Sequence, residues 1–295
     1  RMINMASFAI LFFLVGLFTR RPDVIVASSP HLFTSFIGWM LAKIKRCPFV
    51  FEVRDLWPDS LIKMGGLRQP FMVRFLTWME SFLYKHADQI IVLTAYQRTF
   101  ITEKGIDPSK IELIPNGVKV EEYKVVPRRL EYRKKMGISE GEYVAIYTGA
   151  HGPANALEYV VKAGKYLQPG ITILLIGDGP EKERLLKLQE QENLDNIHFM
   201  DLVPKEEVFF YLDAADCGII SLADNEIFRG ARPNKLFDYI FIGLPIITTV
   251  DGEVREIVEK NHLGVFAGAE NPKGLAEAIH TARRLSIAEL NKIKE

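Results

Sequence analysis

The residues whose types and spacing suggest the most specific chemistry lie between positions 226 and 246. Pro233 suits the first position of a helix, because its missing N–H costs nothing there. Lys235 then falls in the first helical turn, where the helix dipole disfavours a cation and a bound anion would explain one. Asp238 follows three residues later, so the two charged side chains share one helix face.

A cation and a carboxylate on one helix face match the chemistry of a nucleoside diphosphate. Ribose hydroxyls donate hydrogen bonds to a carboxylate, whereas a diphosphate accepts them from a lysine and from the free N–H groups of a helix start. The alternative for Lys235 and Asp238 is a surface ion pair, which is common at this spacing and weakly stabilising. Both interpretations stay open at this point.

Two glycine-rich turns, each directly after a predicted strand, form a second candidate. Ligands of open α/β sheets bind beyond the carboxyl ends of the strands, and glycine allows the backbone to approach them closely. Tight strand-to-helix turns also need glycine, so neither turn is specific alone. The residues are Gly149, His151 and Gly152 in the first turn, and Gly177 and Gly179 in the second.

Composition limits the class of protein that can carry these residues. The 295 residues are 48% hydrophobic and 25% charged, which is ordinary for a globular chain of about two domains and excludes a disordered, collagen-like or coiled-coil protein. Lysine plus arginine and aspartate plus glutamate balance at 37 each, which argues against a nucleic-acid binder of bulk positive charge. Two cysteines, Cys47 and Cys217, are too few for a disulfide framework or a cysteine-based zinc site, and they favour a reducing compartment.

Short β-branched runs alternate with longer helical patterns along the whole chain. Continuous apolar strands connected by helices predict parallel sheets covered on both faces, in doubly wound, Rossmann-like domains. A polar, proline-containing stretch at residues 118–133 separates two such alternations and predicts a boundary near residue 125, with domains 1–125 and 126–295. The predicted strands cover residues 23–27, 48–53, 89–93, 110–114, 143–148, 171–176, 197–200, 217–221, 245–249 and 264–267. The predicted helices cover residues 32–45, 69–86, 95–104, 129–136, 157–167, 181–192, 206–214, 234–242 and 272–285.

Several segments occur in an order that is informative when they are taken together. They are IPNGV at 114–118, LIGDGP at 175–180, AAD at 214–216, PNKLFDY at 233–239 and GLPIIT at 243–248. With them the chain resembles glycosyltransferases of the retaining family-4 type (glycosyl transferases group 1), which have the GT-B fold. DVIVASSP at 23–30 and FEVRDLWP at 51–58 are similar to the branch of fucosaminyl and related N-acetylaminosugar transferases.

The resemblance implies two Rossmann-like domains that face a cleft, the first for the acceptor and the second for the nucleotide sugar. Asp238 stands at the second acidic position of the family's E-x7-E pattern and would hold the ribose. Arg232 and Lys235 would stabilise the charge that grows on the leaving diphosphate. The other donor-side candidates are Gly149, His151, Gly152, Gly177 and Gly179 in the turns, Leu202 and Val203 near the base, and Pro233 and Leu236 beside Lys235.

Three positions depart from the family pattern. The first acidic position falls on Gly230, with Glu226 near it but out of register. Residues 149–155 lack the arginine and lysine of many relatives, which leaves His151 as the potential cation there and makes Arg229 a further candidate beside Arg232. Where many relatives have a front-domain histidine, this chain has Arg54 and Asp55. Either could orient the sugar or the acceptor, and the alternative is a buried ion pair or hydrogen bonds that fix the loop.

The implied reaction moves a sugar, with retention, from a nucleotide diphosphate donor to a polysaccharide or lipid-linked acceptor in surface-polysaccharide biosynthesis. The branch favours a UDP-sugar and an N-acetylated amino sugar. No cofactor, essential metal or nucleic-acid partner is expected. Two alternatives are a catalytically impaired partner protein that binds nucleotide sugar, and a sugar-nucleotide epimerase. A Rossmann oxidoreductase would need G-x-G-x-x-G after the first strand, and Pro180 follows Gly177 and Gly179 instead.

Residues 2–18 form an uncharged apolar run whose place in the fold is open. It is somewhat short for a membrane span, which needs about 20 residues, so a buried or half-buried helix and a membrane-contacting helix are the other interpretations. Residues 67–84 are also rich in apolar and aromatic side chains. We expect a cytoplasmic protein, with peripheral contact to the inner face of the cytoplasmic membrane left open. Relatives usually begin with a further strand, glycine-rich turn and helix, so we expect a front domain truncated at its N-terminus, with residues 2–18 as an interior helix that the truncation exposes.

Overall fold

In the computed structural model the chain forms two compact units, residues 1–115 and 116–295. The structure describes residues 2–118, 129–285, 289 and 293. The domain boundary predicted near residue 125 therefore lies outside the described residues. Both units are α/β with parallel strands, which confirms the predicted fold class.

The first unit is built on a parallel sheet in the order β1-β2-β3-β4. Phe49, Phe51 and Val53 alternate along β2 and are buried, because side chains on one face of a strand recur at every second position. Helices α2 and α4 add buried leucines and a methionine to this core. In chain order the elements are α1 (Met2–Phe18), β1 (Ile25–Ser28), α2 (Leu32–Lys45), β2 (Phe49–Val53), α3 (Asp59–Lys63), α4 (Pro70–His86), β3 (Gln89–Val92), α5 (Ala95–Glu103), a 3-10 turn (Pro108–Lys110) and β4 (Ile111–Leu113).

Helix α1 covers residues 2–18 and is only half-buried, one of the interpretations that the sequence left open. Phe8, Leu11, Val15 and Phe18 are exposed by 59, 62, 66 and 90%, and their spacing places them on one helix face. The opposite side packs on α2, so closely that a Cβ on Gly16 would lie 2.5 Å from a methyl group of Leu41. The helix is therefore half-packed, with an apolar outer face.

None of the described helices is both long enough and apolar enough to cross a membrane.

The second unit contains a larger parallel sheet in the order β10-β9-β8-β5-β6-β7. The chain adds strands on one side of β5 and then on the other, so the order reverses between β5 and β8. Open α/β sheets bind ligands at such a switch point, beyond the carboxyl ends of the strands. In chain order the elements are α6 (Arg129–Lys135), β5 (Tyr143–Thr148), α7 (Leu157–Ala163), β6 (Ile171–Ile176), α8 (Lys182–Gln191), β7 (Ile197–Met200), α9 (Lys205–Ala214), β8 (Cys217–Ile220), a 3-10 turn (Glu226–Gly230), α10 (Asn234–Ile242), β9 (Ile246–Thr248), α11 (Glu253–Lys260), β10 (Gly264–Phe266) and α12 (Pro272–Arg283).

Helices cover both faces of this sheet, which is why its strands are continuously apolar. Val144 and Ile146 of β5 belong to one core layer, and Ala145 and Tyr147 to the other. Every residue of β6 is buried. The central strands are thus fixed from both sides and give a rigid base for the turns that follow them.

A buried charge cluster secures the edge of the sheet opposite those turns. The Arg133 side chain is only 2% exposed and forms an ion pair with Asp216, the aspartate of the AAD segment. Asp216 also accepts a hydrogen bond of 2.7 Å from the backbone N–H of Val144, at the start of β5. Arg133 donates further bonds to the carbonyls of Ala214 and Glu142. The AAD segment therefore has a structural role, tying α6 and β8 to β5.

Candidate functional site

A pocket of about 290 Å³ lies at the switch point of the second unit, beyond the carboxyl ends of β5 and β6. Five of its lining residues are among those predicted from the sequence: Gly149, Leu202, Val203, Lys235 and Asp238. The others were not predicted: Thr148, Ile176, Lys205, Val208, Phe209 and Asn234.

Lys235 lies in the first turn of α10, as the sequence predicted, and its side chain is half-buried. Its Nζ is 3.7 Å from the centre of the Tyr147 ring, a distance at which the ring face attracts a cation. Loss of hydration lowers the pKa of Lys235 to about 7, although the nearby Asp238 carboxylate favours the charged form. The ammonium is thus poorly solvated and has no carboxylate within ion-pair distance among the described residues, so a bound anion would stabilise it.

Asp238 is one turn further along α10 and also faces the pocket. Desolvation raises the pKa of its carboxyl, while Lys205 and Lys235 oppose the shift by stabilising the charged form. No hydrogen bond within the described residues uses the carboxylate. It is therefore available to accept hydrogen bonds from a ligand's hydroxyl groups.

Tyr239, the residue after Asp238, fixes α10 against the sheet. Its buried ring rests on Gly218 of β8, where a Cβ would come within 2.5 Å of the ring. Its hydroxyl accepts a hydrogen bond of 3.3 Å from the backbone N–H of Thr148, at the end of β5. Tyr239 thus holds α10, which carries Lys235 and Asp238, directly against β5, the strand that ends at the pocket.

The two glycine-rich turns interlock with each other. A Cβ on Gly177 would lie 1.9 Å from the carbonyl oxygen of Gly149, and one on Gly179 would lie 2.5 Å from that of His151. Both glycines have positive φ, at 152° and 157°, which side chains rarely tolerate. Of the predicted turn glycines only Gly149 lines the pocket, while Gly152, Gly177 and Gly179 lie outside its lining. The close approach of the two turns is therefore enough to explain why glycine stands at positions 177 and 179.

His151 is not a cation in this fold, which corrects the expectation from the sequence. Its side chain is fully buried, and loss of hydration lowers its pKa to about 4, helped by Lys182 and Lys235 and opposed by Asp178. The imidazole is therefore neutral at neutral pH. Among the described residues neither ring nitrogen has a hydrogen-bond partner.

Arg232 and its neighbours lie beside the pocket rather than in its lining. Arg232 forms an ion pair of 2.5 Å with Glu253 at the start of α11, which satisfies the charge that the sequence assigned to a diphosphate. Arg229, at 3.9 Å from Asp224, is exposed, and Glu226 begins the 3-10 turn before it. Pro233 directly precedes α10. Leu236 is fully buried in the core, so its side chain contacts protein and not a ligand.

Lys205 is the charged pocket residue that the sequence did not single out. It begins α9, where the helix dipole disfavours a cation. The same feature pointed to Lys235, and it would have identified Lys205 as well. Val208 and Phe209 lie one turn later on α9 and also line the pocket.

In the first unit, Arg54 and Asp55 directly follow β2, and both side chains are exposed. Loss of hydration raises the pKa of the Asp55 carboxyl, while the positive charge of Arg54 opposes the rise. The predicted alternative of a buried ion pair does not hold, because neither side chain is buried. Hydrogen bonds do fix the main chain of this loop, through Ser29 and Gln97.

No group of three or more histidine, cysteine, aspartate or glutamate side chains in the described part of the chain could hold a metal ion.

Comparisons with known proteins give one consistent result. Residues 5–117 match the family model of the glycosyl transferase 4-like domain, and residues 128–294 match that of glycosyl transferases group 1. WbjE of Pseudomonas aeruginosa, named a probable glycosyltransferase, is 24% identical over 280 residues, which are 93% of this chain and 69% of WbjE. WcaI of Escherichia coli K12, named for colanic acid biosynthesis, is 23% identical over 263 residues. That match covers 85% of this chain and 63% of WcaI, so the chain spans about two thirds of these relatives.

The fold also matches solved structures. The crystal structure of HepE from Anabaena, in complex with UDP and glucose, superposes with a TM-score of 0.79 at 18% identity. The superposition covers 99% of this chain and 76% of HepE.

Proposed function

The chain belongs to the glycosyl transferases group 1 family, and on that premise we propose that it transfers a sugar from a nucleoside diphosphate to an acceptor hydroxyl in surface-polysaccharide biosynthesis. The observation that carries this proposal is the pocket at the switch point of the second unit. It combines one poorly solvated cation, Lys235, with one available carboxylate, Asp238, on a single face of α10. A nucleoside diphosphate needs both groups, whereas a simple anion needs only the first.

Each part of the donor has a counterpart among the lining residues. The carboxylate of Asp238 would accept hydrogen bonds from the ribose hydroxyls. The ammonium of Lys235 and the N–H groups at the start of α10 would hold the diphosphate and stabilise the charge it gains as the sugar leaves. Leu202 lines the pocket but is 69% exposed, and a base stacked over it would cover this apolar side chain.

The unpredicted lysine completes this assignment. Desolvation raises the pKa of Asp238, and Lys205 opposes that rise, so this lysine favours the ionised carboxylate, the state that accepts two hydrogen bonds at once. Its own contact with the ligand is secondary in this scheme. Because Lys235 and the N–H groups at the start of α10 would stabilise the charge on the diphosphate, we propose that the reaction needs neither a metal ion nor a cofactor.

The finer features of the donor and acceptor follow the family resemblance. We propose a UDP-linked N-acetylated amino sugar, retention at the anomeric carbon and a glycan or lipid-linked acceptor. The exposed carboxylate of Asp55, on the first unit, would accept a hydrogen bond from the acceptor hydroxyl. The proposed location is the cytoplasm, where nucleotide sugars are made.

Peripheral contact with an anionic membrane surface fits the first unit. Residues 1–115 contain 14 lysines and arginines against nine aspartates and glutamates, whereas residues 116–295 contain 23 against 28. The apolar face of α1 ends at Phe18, beside Arg20 and Arg21, and an apolar helix face with adjacent cations favours anionic bilayers. Co-sedimentation with vesicles of anionic phospholipid, compared with vesicles of neutral phospholipid, tests the contact. Equal recovery in the supernatant with both would contradict it.

Titration of UDP into the purified chain tests the proposed function. Asp238→Asn should weaken UDP binding by roughly 10-fold or more, since a hydrogen bond to a charged group contributes about 1.5–3 kcal/mol. The matched control is Asp195→Asn, because Asp195 is exposed and lies outside the pocket lining. UDP release from UDP-sugars, measured in parallel, separates an enzyme from an impaired partner protein that binds without turnover. Equal affinity of the wild type and Asp238→Asn would contradict the site.

A further inference from the structure

The two residues after β2, Arg54 and Asp55, have an unusual main-chain environment. Ser29, which follows β1 and is only 3% exposed, bonds to three of their backbone groups through a single hydroxyl. Its Oγ accepts from the N–H of Arg54 at 3.0 Å and from that of Asp55 at 3.1 Å. It donates to the carbonyl of Asp55 at 2.9 Å. A hydroxyl has one donor and two acceptor positions, so Ser29 uses its full capacity on this turn.

Gln97 holds the one backbone group that Ser29 does not reach. It lies near the start of α5 and is 6% exposed. Its Nε2 donates to the carbonyl of Arg54 at 3.1 Å, and its Oε1 accepts from the N–H of Leu93 at 2.8 Å. All four main-chain polar groups of Arg54 and Asp55 are therefore bonded by two buried side chains from other parts of the sheet.

This arrangement fixes the turn from both sides. Ser29 follows β1 and Gln97 follows β3, the two strands that flank β2. A two-residue turn could satisfy its N–H and C=O groups with water, at no cost in buried polar side chains. Burying Ser29 and Gln97 instead costs desolvation and side-chain entropy. Their hydrogen bonds leave the main chain of Arg54 and Asp55 little freedom to move.

The Asp55 side chain differs from its main chain in having no such hydrogen bonds among the described residues. It is exposed, and no hydrogen bond or ion pair within the described residues uses its carboxylate. A rigid main chain that carries an uncommitted, exposed carboxylate at the carboxyl end of a central strand is the arrangement that a positioned functional group requires. A loop fixed only for stability would gain more from a paired Asp55.

We propose that Ser29 and Gln97 are positioning residues, which hold the Asp55 carboxylate where it accepts a hydrogen bond from the acceptor hydroxyl. This inference rests on the proposed function, and it adds two residues whose side chains never touch the substrate. Their effect on transfer passes entirely through Asp55. They act on the acceptor side and leave nucleotide binding, which belongs to the second unit, unchanged.

A double-mutant cycle between Ser29 and Asp55 tests this. Asp55→Asn should reduce kcat for transfer by roughly 100-fold, and Ser29→Ala by roughly 10-fold, since small misplacements of a catalytic group have effects of this order. In the Asp55→Asn background, Ser29→Ala should cost less than about twofold more, because residues that act as one unit are not additive. Gln97→Met should behave as Ser29→Ala does, and Ser29→Thr, which keeps the hydroxyl, should recover most of the rate.

Two measurements accompany the cycle. The UDP dissociation constant should be the same in every variant, and thermal unfolding shows whether a variant has lost its fold. Ser35→Ala is the matched control, because Ser35 is a fully buried serine of the same unit that bonds to the carbonyls of Ser28 and His31 and not to the Asp55 turn. Its kcat should equal that of the wild type.

The outcomes separate this inference from the proposed function. Additive losses, a loss equally large in Ser35→Ala, or weaker UDP binding in Ser29→Ala would overturn the positioning role while the proposed function stands. A wild type that binds UDP but transfers no sugar would overturn the proposed transfer, and with it the role of Asp55, while the nucleotide site stands. A wild type that neither binds UDP nor transfers sugar would overturn the nucleotide site as well.

Discussion

UDP should bind less tightly as the pH rises above 7, because the cation proposed to hold its diphosphate has an unusually low pKa. Poor hydration lowers the pKa of Lys235 to about 7 in the free protein. A bound diphosphate stabilises the ammonium, so the pKa of Lys235 must be higher in the complex. The affinity is therefore fully present below pH 7 and falls as the pH rises from the free-protein pKa towards that of the complex.

The size of the effect follows from the fraction of Lys235 that is already protonated. With a pKa of about 7, half of the molecules carry the charge at pH 7 but only roughly 3% at pH 8.5. The dissociation constant for UDP should then rise roughly 16-fold between these pH values, which is about 1.6 kcal/mol. Between pH 6 and 7 the change should be less than about twofold.

Isothermal titration calorimetry measures both the affinity and the proton. At pH 8 each UDP should bring about 0.9 protons into the complex, which appears as a dependence of the heat on the ionisation enthalpy of the buffer. Lys235→Met should bind UDP more weakly at pH 7 and show neither the pH dependence nor the proton uptake. Lys187→Met, an exposed position on α8 outside the pocket lining, is the control and should behave as the wild type. A flat profile in the wild type, or a slope that persists in Lys235→Met, would refute this reasoning.

Two further predictions concern the framework around the pocket. Gly177→Ala places a Cβ 1.9 Å from the carbonyl oxygen of Gly149, so it should separate the two turns. We expect it to weaken UDP binding and to lower the unfolding temperature by roughly 10 °C. Gly141→Ala, with no atom within 4 Å of the added Cβ, is the control and should change neither the UDP affinity nor the unfolding temperature. Asp216→Asn leaves the buried Arg133 without its ion-pair partner and should reduce the free energy of unfolding by about 3 kcal/mol in a denaturant titration. Asp251→Asn, which removes an exposed ion pair with Arg255, should leave the denaturation midpoint unchanged, and equal midpoints for both variants would contradict the structural role of Asp216.

Much of the fold could be predicted because both units repeat one pattern. Strands β5 and β6, at the centre of the second sheet, and β7, at its edge, have the bounds that were predicted. A strand covered on both faces is continuously apolar and ends abruptly at glycine or charge. Helix α11 was not predicted, because its short charged sequence resembles a loop. For residues 2–18 the sequence left a buried, a half-buried and a membrane-contacting helix open, since an apolar sequence shows that a helix avoids water but not which neighbour covers it.

The candidate site was partly predictable for a similar reason. Lys235 and Asp238 are close in sequence, so helical geometry alone brings them together at the pocket. Lys205 and Thr148 reach the same pocket from other elements, and sequence spacing carries no information about that approach. The burial of His151 and the pairing of Arg232 with Glu253 also depend on tertiary packing. These two features remove His151 and Arg232 from the cations expected at the site. Lys235 and the nearby Lys205 are the cations that line the pocket.

The central claim is that this chain takes a sugar from a nucleoside diphosphate held by Lys235 and Asp238. Incubation with a panel of UDP-sugars and a polyprenyl-diphosphate-linked N-acetylaminosugar, followed by mass spectrometry of the lipid, tests it most directly. The prediction is that one donor gives a product heavier by one sugar residue, together with UDP, and that Asp238→Asn and Lys235→Met give little or none. Unchanged product from both variants, or no product from any donor with the wild type, would contradict the claim.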